Sequence, residues 1–110
     1  MGIKEDLAGM GVEIKFHFSD LVCIKETRIP KGVELTQHAH TYEHASVLVS
    51  GEVLLWVDGE ATRLSGYETL AIKAAAEHKV HALTDAIWLC IAPVEEFRNE
   101  LLDHDPGEVA

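Results

Sequence analysis

The stretch GVELTQHAHTYEHASVLVSG, Gly32 to Gly51, sets His38, His40 and His44 at even spacing in a run that otherwise reads as strand. Side chains alternate between the two faces of a strand, so His38 and His40 share one face, about 7 Å apart along the backbone. His44 is a further even step along, and returns to that face if the strand continues or bends at Thr41-Tyr42-Glu43. Each imidazole carries an N–H that needs an acceptor and a lone pair that needs a donor. Three of them on one inward face are poor core filling but are a ready donor set for a metal ion.

Around this stretch the chain is a series of short strand-like segments punctuated by turn residues. VEIKFHF alternates apolar and polar positions from Val12 to Phe18, Ser19-Asp20 interrupts it, and LVCIKETRI follows up to Pro30-Lys31-Gly32. Gly51 reads as a turn between ASVLVS and EVLLWV, and Asp58-Gly59 is the strongest hairpin signal in the chain. ATRL, YETLAIKA, HKVHAL and AIWLCIAPV complete the set, with turns at Ser65-Gly66 and Thr84-Asp85. Eight or nine strands with such close turns predict an all-β antiparallel sandwich or barrel. One domain spans 1–110, with its core at about 12–93. Phe97, Leu101 and Leu102 stand at helical spacing, so a short C-terminal helix is expected over about 94–102.

Composition narrows the function. The 110 residues carry 19 acidic and 9 basic side chains, a formal net charge of -10, which repels phosphate backbones and argues against nucleic acid. No apolar run is long enough to span a membrane, and MGIKEDLAGM carries charge where a signal peptide is apolar, so a cytoplasmic protein is expected. Cys23 and Cys90 lie far apart in apolar runs without a CxxC pair and read as two reduced core thiols. No Ser-His-Asp set, phosphate loop or pair of spaced carboxylates is visible.

The opening stretch resembles the first motif of the cupins: Gly, five residues, His-x-His, three or four residues, Glu, six residues, Gly. Every spacing fits, with His44 where the family usually has Glu and Glu43 as the adjacent competitor. After Gly66 the chain resembles a degenerate second motif. Lys73 and Ala75 replace Pro and Gly, His78 comes one residue later than the literal spacing, and Ala82 replaces Asn. The resemblance covers about residues 30–92. It implies a small single-domain cupin, a double-stranded β-helix of the jelly-roll type. It further implies one divalent transition metal held by His38, His40, His44 and His78, the variant with four histidines.

Four neutral ligands leave the ion its full charge, and a six-coordinate ion would keep two positions open for water, O₂ or a chelating molecule. Histidine sites accept Mn, Fe, Co, Ni, Cu and Zn; two open positions favour Fe or Mn. The first functional reading is a non-haem oxygenase of dioxygenase type acting on a small oxygenated molecule. A redox-neutral isomerase or lyase on a sugar acid or hydroxy carbonyl compound is the second, and a non-catalytic metal- or ligand-binding cupin the third. No residue is assigned a catalytic role. Strand parity places Glu34 and Thr36 on the same face as His38 and His40, Ser46 and Leu48 with His44, and Val80 and Ala82 with His78; His81 faces the other way. Thr36, Thr41 and Ser46 are candidates to orient the ligand rings. Trp56, Trp88, Tyr42, Tyr67, Phe16 and Phe18 are large side chains available as pocket walls, with core or dimer packing as their ordinary role. His17, His81 and His104 read as surface or satisfied histidines, and Glu43 and Glu77 as solvated neighbours of ligands. A homodimer is expected, as in many small cupins.

Overall fold

The structure, a computed structural model, describes residues 9–37, 44–72 and 77–97. These hold nine strands: β1 (Glu13–Phe18), β2 (Val22–Ile29), β3 (Glu34–Gln37), β4 (His44–Ser50), β5 (Glu52–Val57), β6 (Glu60–Ser65), β7 (Glu68–Ile72), β8 (His78–Ala82) and β9 (Ala86–Pro93). Five form one sheet in the order β1-β2-β9-β4-β7, and four form a second in the order β3-β8-β5-β6. All pairings are antiparallel. This is the double-stranded β-helix expected from the sequence.

Alternation decides which face of each strand is buried. Val53 and Leu55 on β5, Val80 and Ala82 on β8, and Ala86, Trp88, Cys90 and Ala92 on β9 are all under 6% exposed, while their odd-step neighbours are not. The two inner faces meet around Trp88, Phe16, Leu48 and Val53, each at most 1% exposed. Both cysteine side chains are thiols within this core, as expected. On the outer face of β9, Ile87, Leu89 and Ile91 are half-buried, so this strand has an apolar second side as well.

At one end of the barrel the chain crosses between sheets four times: β2 to β3, β4 to β5, β6 to β7 and β8 to β9. The crossing at Gly51 shows why glycine is required. Its φ is +93°, and an added Cβ would collide with the Asp85 carbonyl oxygen and lie 2.9 Å from Ala86 Cα. Hydrogen bonds tie these crossings together. Gly66 N–H donates to the Gly51 carbonyl (2.8 Å), and Gly32 N–H to the Ala82 carbonyl (2.7 Å). Glu52 N–H donates to the Thr84 hydroxyl (3.0 Å), and Lys31 N–H to the Asp85 carboxylate (2.8 Å). The Arg63 guanidinium beside Glu52 holds that carboxyl below the usual glutamate range, with Ser65 adding a hydrogen bond.

The opposite end is the mouth. The Asp58-Gly59 hairpin closes β5 on β6 there with positive φ at both residues (49° and 86°), the twist that two-residue hairpins need. Asp58 N–H donates to the Glu77 carbonyl (3.1 Å) and Glu77 N–H to the Asp58 carboxylate (3.3 Å), joining this hairpin to the start of β8. Beyond β9, Val94–Phe97 is a single turn of 3-10 helix in place of the start of the expected α-helix; residues 98–102 lie outside the described residues. Short 3-10 turns are frequent as connectors and at helix ends, and a single turn lacks the length that makes an α-helix favourable.

Candidate functional site at the barrel mouth

His78 is the first residue of β8. Its register partners are Gln37, the last residue of β3, and Val57, the last of β5. It is 1% exposed and shares the inner face of its sheet with Val80 and Ala82, the face that parity assigned to it. His81 is on the outer face, with Nδ1 3.7 Å from the Glu34 carboxylate. His17, also outward, hydrogen-bonds Glu26 through Nε2 at 3.0 Å. The Arg28 guanidinium, and then His17, hold the Glu26 carboxyl below the usual range, against the opposing effect of burial. His104 lies outside the described residues.

On the facing sheet, His44 is the first residue of β4, at the register position opposite Ile72 and an even step before Ser46 and Leu48. Those two are fully buried, as expected. His38 and His40 lie outside the described residues, as do Thr41, Tyr42, Glu43, Lys73 and Ala75. Among the described residues no three His, Cys, Asp or Glu side chains are grouped to hold a metal ion. The chain thus passes between the sheets at the mouth twice, from Gln37 to His44 and from Ile72 to His78. Every member of the expected ligand set stands in, or at the end of, one of these two passages.

The parity expected for β3 is corrected. Leu35 is its buried residue (9% exposed), while Glu34 and Thr36 are exposed. Leu35 pairs with Val80, and this apolar pair fixes which face turns inward. Thr36 therefore does not orient a ligand from within the barrel. On the outer face, Glu34 approaches Lys79 at 3.8 Å.

A cavity of about 330 Å³ lies beside the mouth, lined by Thr36, Trp56, Gly59, Glu77, His78 and Lys79. Trp56 is thus a pocket wall, with the Lys79 ammonium 4.8 Å from its ring centroid. Trp88 and Phe16 are core, while Phe18 (49%) and Tyr67 (70%) are exposed. Glu77 is exposed, as expected.

The inner face of the five-stranded sheet holds two polar residues, Lys25 and Thr27, that the sequence reading did not single out. Lys25, half-buried, occupies the inward alternate of β2 with Cys23, Thr27 and Ile29. Its register partners are Phe16 and Cys90, and Cys90 in turn pairs with Ser46, whose hydroxyl lies 3.8 Å from the Cys90 sulfur. In the next row Thr27 pairs with Trp88; Thr27 Oγ1 and Trp88 Nε1 are buried and have no hydrogen-bond partner among the described residues. The signal was present in VCIKETRI, where Lys25 falls in step with residues that must face inward.

A family described as Cupin domain matches residues 25–92, more than half of the chain. No curated protein matches it. Among solved structures, an RmlC-like cupin from Shewanella frigidimarina superposes with a TM-score of 0.72 at 22% identity, covering 84% of this chain and 83% of that one. A predicted oxalate decarboxylase from Thermotoga maritima gives 0.64 at 13% identity, over 73% and 77%. Salicylate 1,2-dioxygenase from Pseudoaminobacter salicylatoxidans, as adducts with gentisate, gives 0.71 at 12% identity, over 84% of this chain but 27% of that one. With two packed sheets, a histidine buried at their mouth, and a family match running from β2 through β9, the chain belongs to the cupin family.

Proposed function

We propose that this chain is a metal-dependent small cupin whose ion is held by His38, His40, His44 and His78. Its first-choice reaction is an oxygenation of dioxygenase type on a small oxygenated molecule. The observation that carries this reading is His78, an imidazole at 1% exposure on the inner face at the very end of β8. A buried histidine there fits a nitrogen ligand, and a set of neutral imidazoles fits a divalent transition ion, Fe or Mn first and Ni, Co, Cu or Zn after them. Such an ion supplies Lewis acidity and, with Fe or Mn, a route to O₂ chemistry.

The protein's own contribution is placement and dryness. Val80, Ala82, Val53 and Leu55 give His78 an apolar floor that keeps water from the ring's inner side. Asp58 and Glu77, through one backbone hydrogen bond and one from the Glu77 N–H to the Asp58 carboxylate, fix where β8 begins and hence where His78 sits. Since Leu35 is the inward residue of β3, an inward His38 and His40 require the alternation to change after Gln37, as a bulge does.

A second reading, redox-neutral lyase or isomerase chemistry, is supported by likeness in size. The chain covers 77% of the predicted oxalate decarboxylase but 27% of the dioxygenase. Elemental analysis of protein purified without a histidine tag tests the metal. His40→Ala should weaken metal binding by about a hundredfold or more, beyond the usual cost of losing a residue that only orients a ligand. His104→Ala should bind as the parent does; equal metal content in the two variants rejects the ligand set. Oxygen uptake with diketones and catechols, against anaerobic turnover of hydroxy ketones and sugar acids, separates the two reactions.

We also propose that two copies pair through the outer face of the five-stranded sheet. Ile24, Val47, Ile87, Leu89 and Ile91 are half-buried there and Val49 is 38% exposed, an apolar face suited to covering. Light scattering should give twice the 12.1 kDa chain mass, and a mass near 12.1 kDa rejects the dimer.

A further inference from the structure

The outer face of the four-stranded sheet is also built in rows. The row nearest the mouth runs Thr36, Lys79, Trp56 and Ala61 across β3, β8, β5 and β6. The next runs Glu34, His81, Leu54 and Arg63. By alternation these residues turn away from the barrel interior, which takes Leu35, Val80, Leu55 and Leu64 instead. Trp56 and Lys79 are half-buried, and Thr36 is exposed. The cavity of about 330 Å³ that Trp56, Lys79 and Thr36 line with Gly59, Glu77 and His78 is therefore a pocket on the outer wall.

The side chains around the indole have hydrogen-bonding capacity to spare. The Lys79 ammonium lies 4.8 Å from the ring centroid and 3.8 Å from the Glu34 carboxylate. Both are contacts of charge, too long for hydrogen bonds, and they hold the ammonium in place with its N–H donors unused. Glu77 is tied to Asp58 through its backbone, which leaves its carboxylate free to accept. Thr36 adds a hydroxyl, which both donates and accepts. Among the described residues none of these three side chains makes a hydrogen bond.

These groups discriminate by charge. A cation would have to displace Lys79 from the indole. An anion would gain Lys79 but meet Glu77 and Glu34, on a chain of net charge -10. A neutral molecule with an apolar face for the indole, and with donors and acceptors along its edge, satisfies every group. A pyranose has this form, with C–H bonds on its faces and hydroxyls around its rim. The cavity is at the small end of ligand sites, which begin at about 300 Å³, and so suits a single ring.

We propose that this outer pocket binds carbohydrate, with a neutral pyranose against the Trp56 indole. Its hydroxyls donate to the Glu77 carboxylate and accept from the Lys79 ammonium, and Thr36 completes the rim. The site is separate from the inner face of the barrel and needs no metal ion.

Titration of the full chain with the methyl α-pyranosides of glucose, galactose and mannose tests it. Glycerol, which has hydroxyls but no ring face, and glucuronate, which is charged, are the controls. Of the two tryptophans Trp88 is 1% exposed in the core, so a change in fluorescence reports on Trp56; calorimetry gives the affinity where Trp56 is replaced. At least one pyranoside should saturate at about 1 mM or tighter, with glucuronate weaker by about fivefold or more. Trp56→Leu keeps apolar bulk but loses the flat face, and should weaken binding by about tenfold. Lys79→Met and Glu77→Gln should each cost about tenfold, the loss of a hydrogen bond to a charged group. The proposal is overturned if no pyranoside saturates, or if glycerol or glucuronate binds as well as the best of them. Unchanged affinity in Trp56→Leu also overturns it, and Lys79→Met decides if that variant fails to fold. Chelator-treated protein should bind the sugar equally well; binding that disappears with the metal would place the sugar on the ion and reject the outer site.

Discussion

At one end of the barrel, Gly51 lies against the Asp85 carbonyl with a φ of +93°, and side-chain and backbone hydrogen bonds from Thr84, Asp85, Gly66 and Gly32 tie four crossings to one another. At the other, His78 and His44 begin their strands and Gln37 and Ile72 end theirs, and among the described residues the hydrogen bonds between Asp58 and Glu77 tie the β5–β6 hairpin to the start of β8. The contrast shows where the family motif divides its labour. Its two glycines belong to the end that fixes how the two sheets meet, and its last histidine, His44, begins β4 at the other end. A single motif, Gly32 to Gly51, leaves the closed end, runs to the mouth and returns.

The sharpest way to break this division is to exchange damage between the ends. Gly51→Ala meets both an unfavourable φ and a backbone collision, and should cost about 3 kcal/mol or more of stability, a large part of what a small domain has. His78→Leu, a replacement of similar bulk among Val80, Val53 and Leu55, should cost less than about 1.5 kcal/mol in metal-free protein. Urea unfolding of both variants measures this. Equal losses would mean that the mouth is as much a folding element as the closed end.

The smallest effect sharpens the picture of the closed end. Arg63, aided by Ser65, holds the Glu52 carboxyl below its usual range. Stability from this contact is therefore fully present above the ordinary glutamate value of about 4.3 and fades as pH falls through the depressed value. Glu52 is exposed, so salt should weaken the effect. The difference in unfolding midpoint between the parent and Glu52→Gln should stay level from neutral pH down to about 5 and shrink below about 4. A difference that grows on acidification would reverse the sign assigned to this carboxyl.

Much of this architecture was legible in the sequence because alternation and turn chemistry are local. Asp58-Gly59 and Gly51 mark turns by the conformations they allow, and the odd step from His78 to His81 separates an inward from an outward ring. Three features escaped for physical reasons. In β3 the histidines were used to set the parity, but the strand is anchored by Leu35 against Val80, so Glu34 and Thr36 turn outward. Lys25 stands in step with Cys23, Thr27 and Ile29 in LVCIKETRI, but β2 has apolar residues on both alternates at its start, and pairing with Phe16 on one side and Cys90 on the other settles that its alternate is the inner one. The helical spacing of Phe97, Leu101 and Leu102 signals a helix, but local spacing does not say where one starts, and a 3-10 turn occupies Val94–Phe97.

The tying of all four crossings at one end has a consequence for how such a protein can be altered. Because the staves are clamped at their base, the segments from 38 to 43 and from 73 to 76 join strands whose relative positions are already decided elsewhere. The pairing of β3 with β8, and of β4 with β7 and β9, therefore does not wait on those connections, and a change of sequence between these strands need not ask the barrel to find a new register.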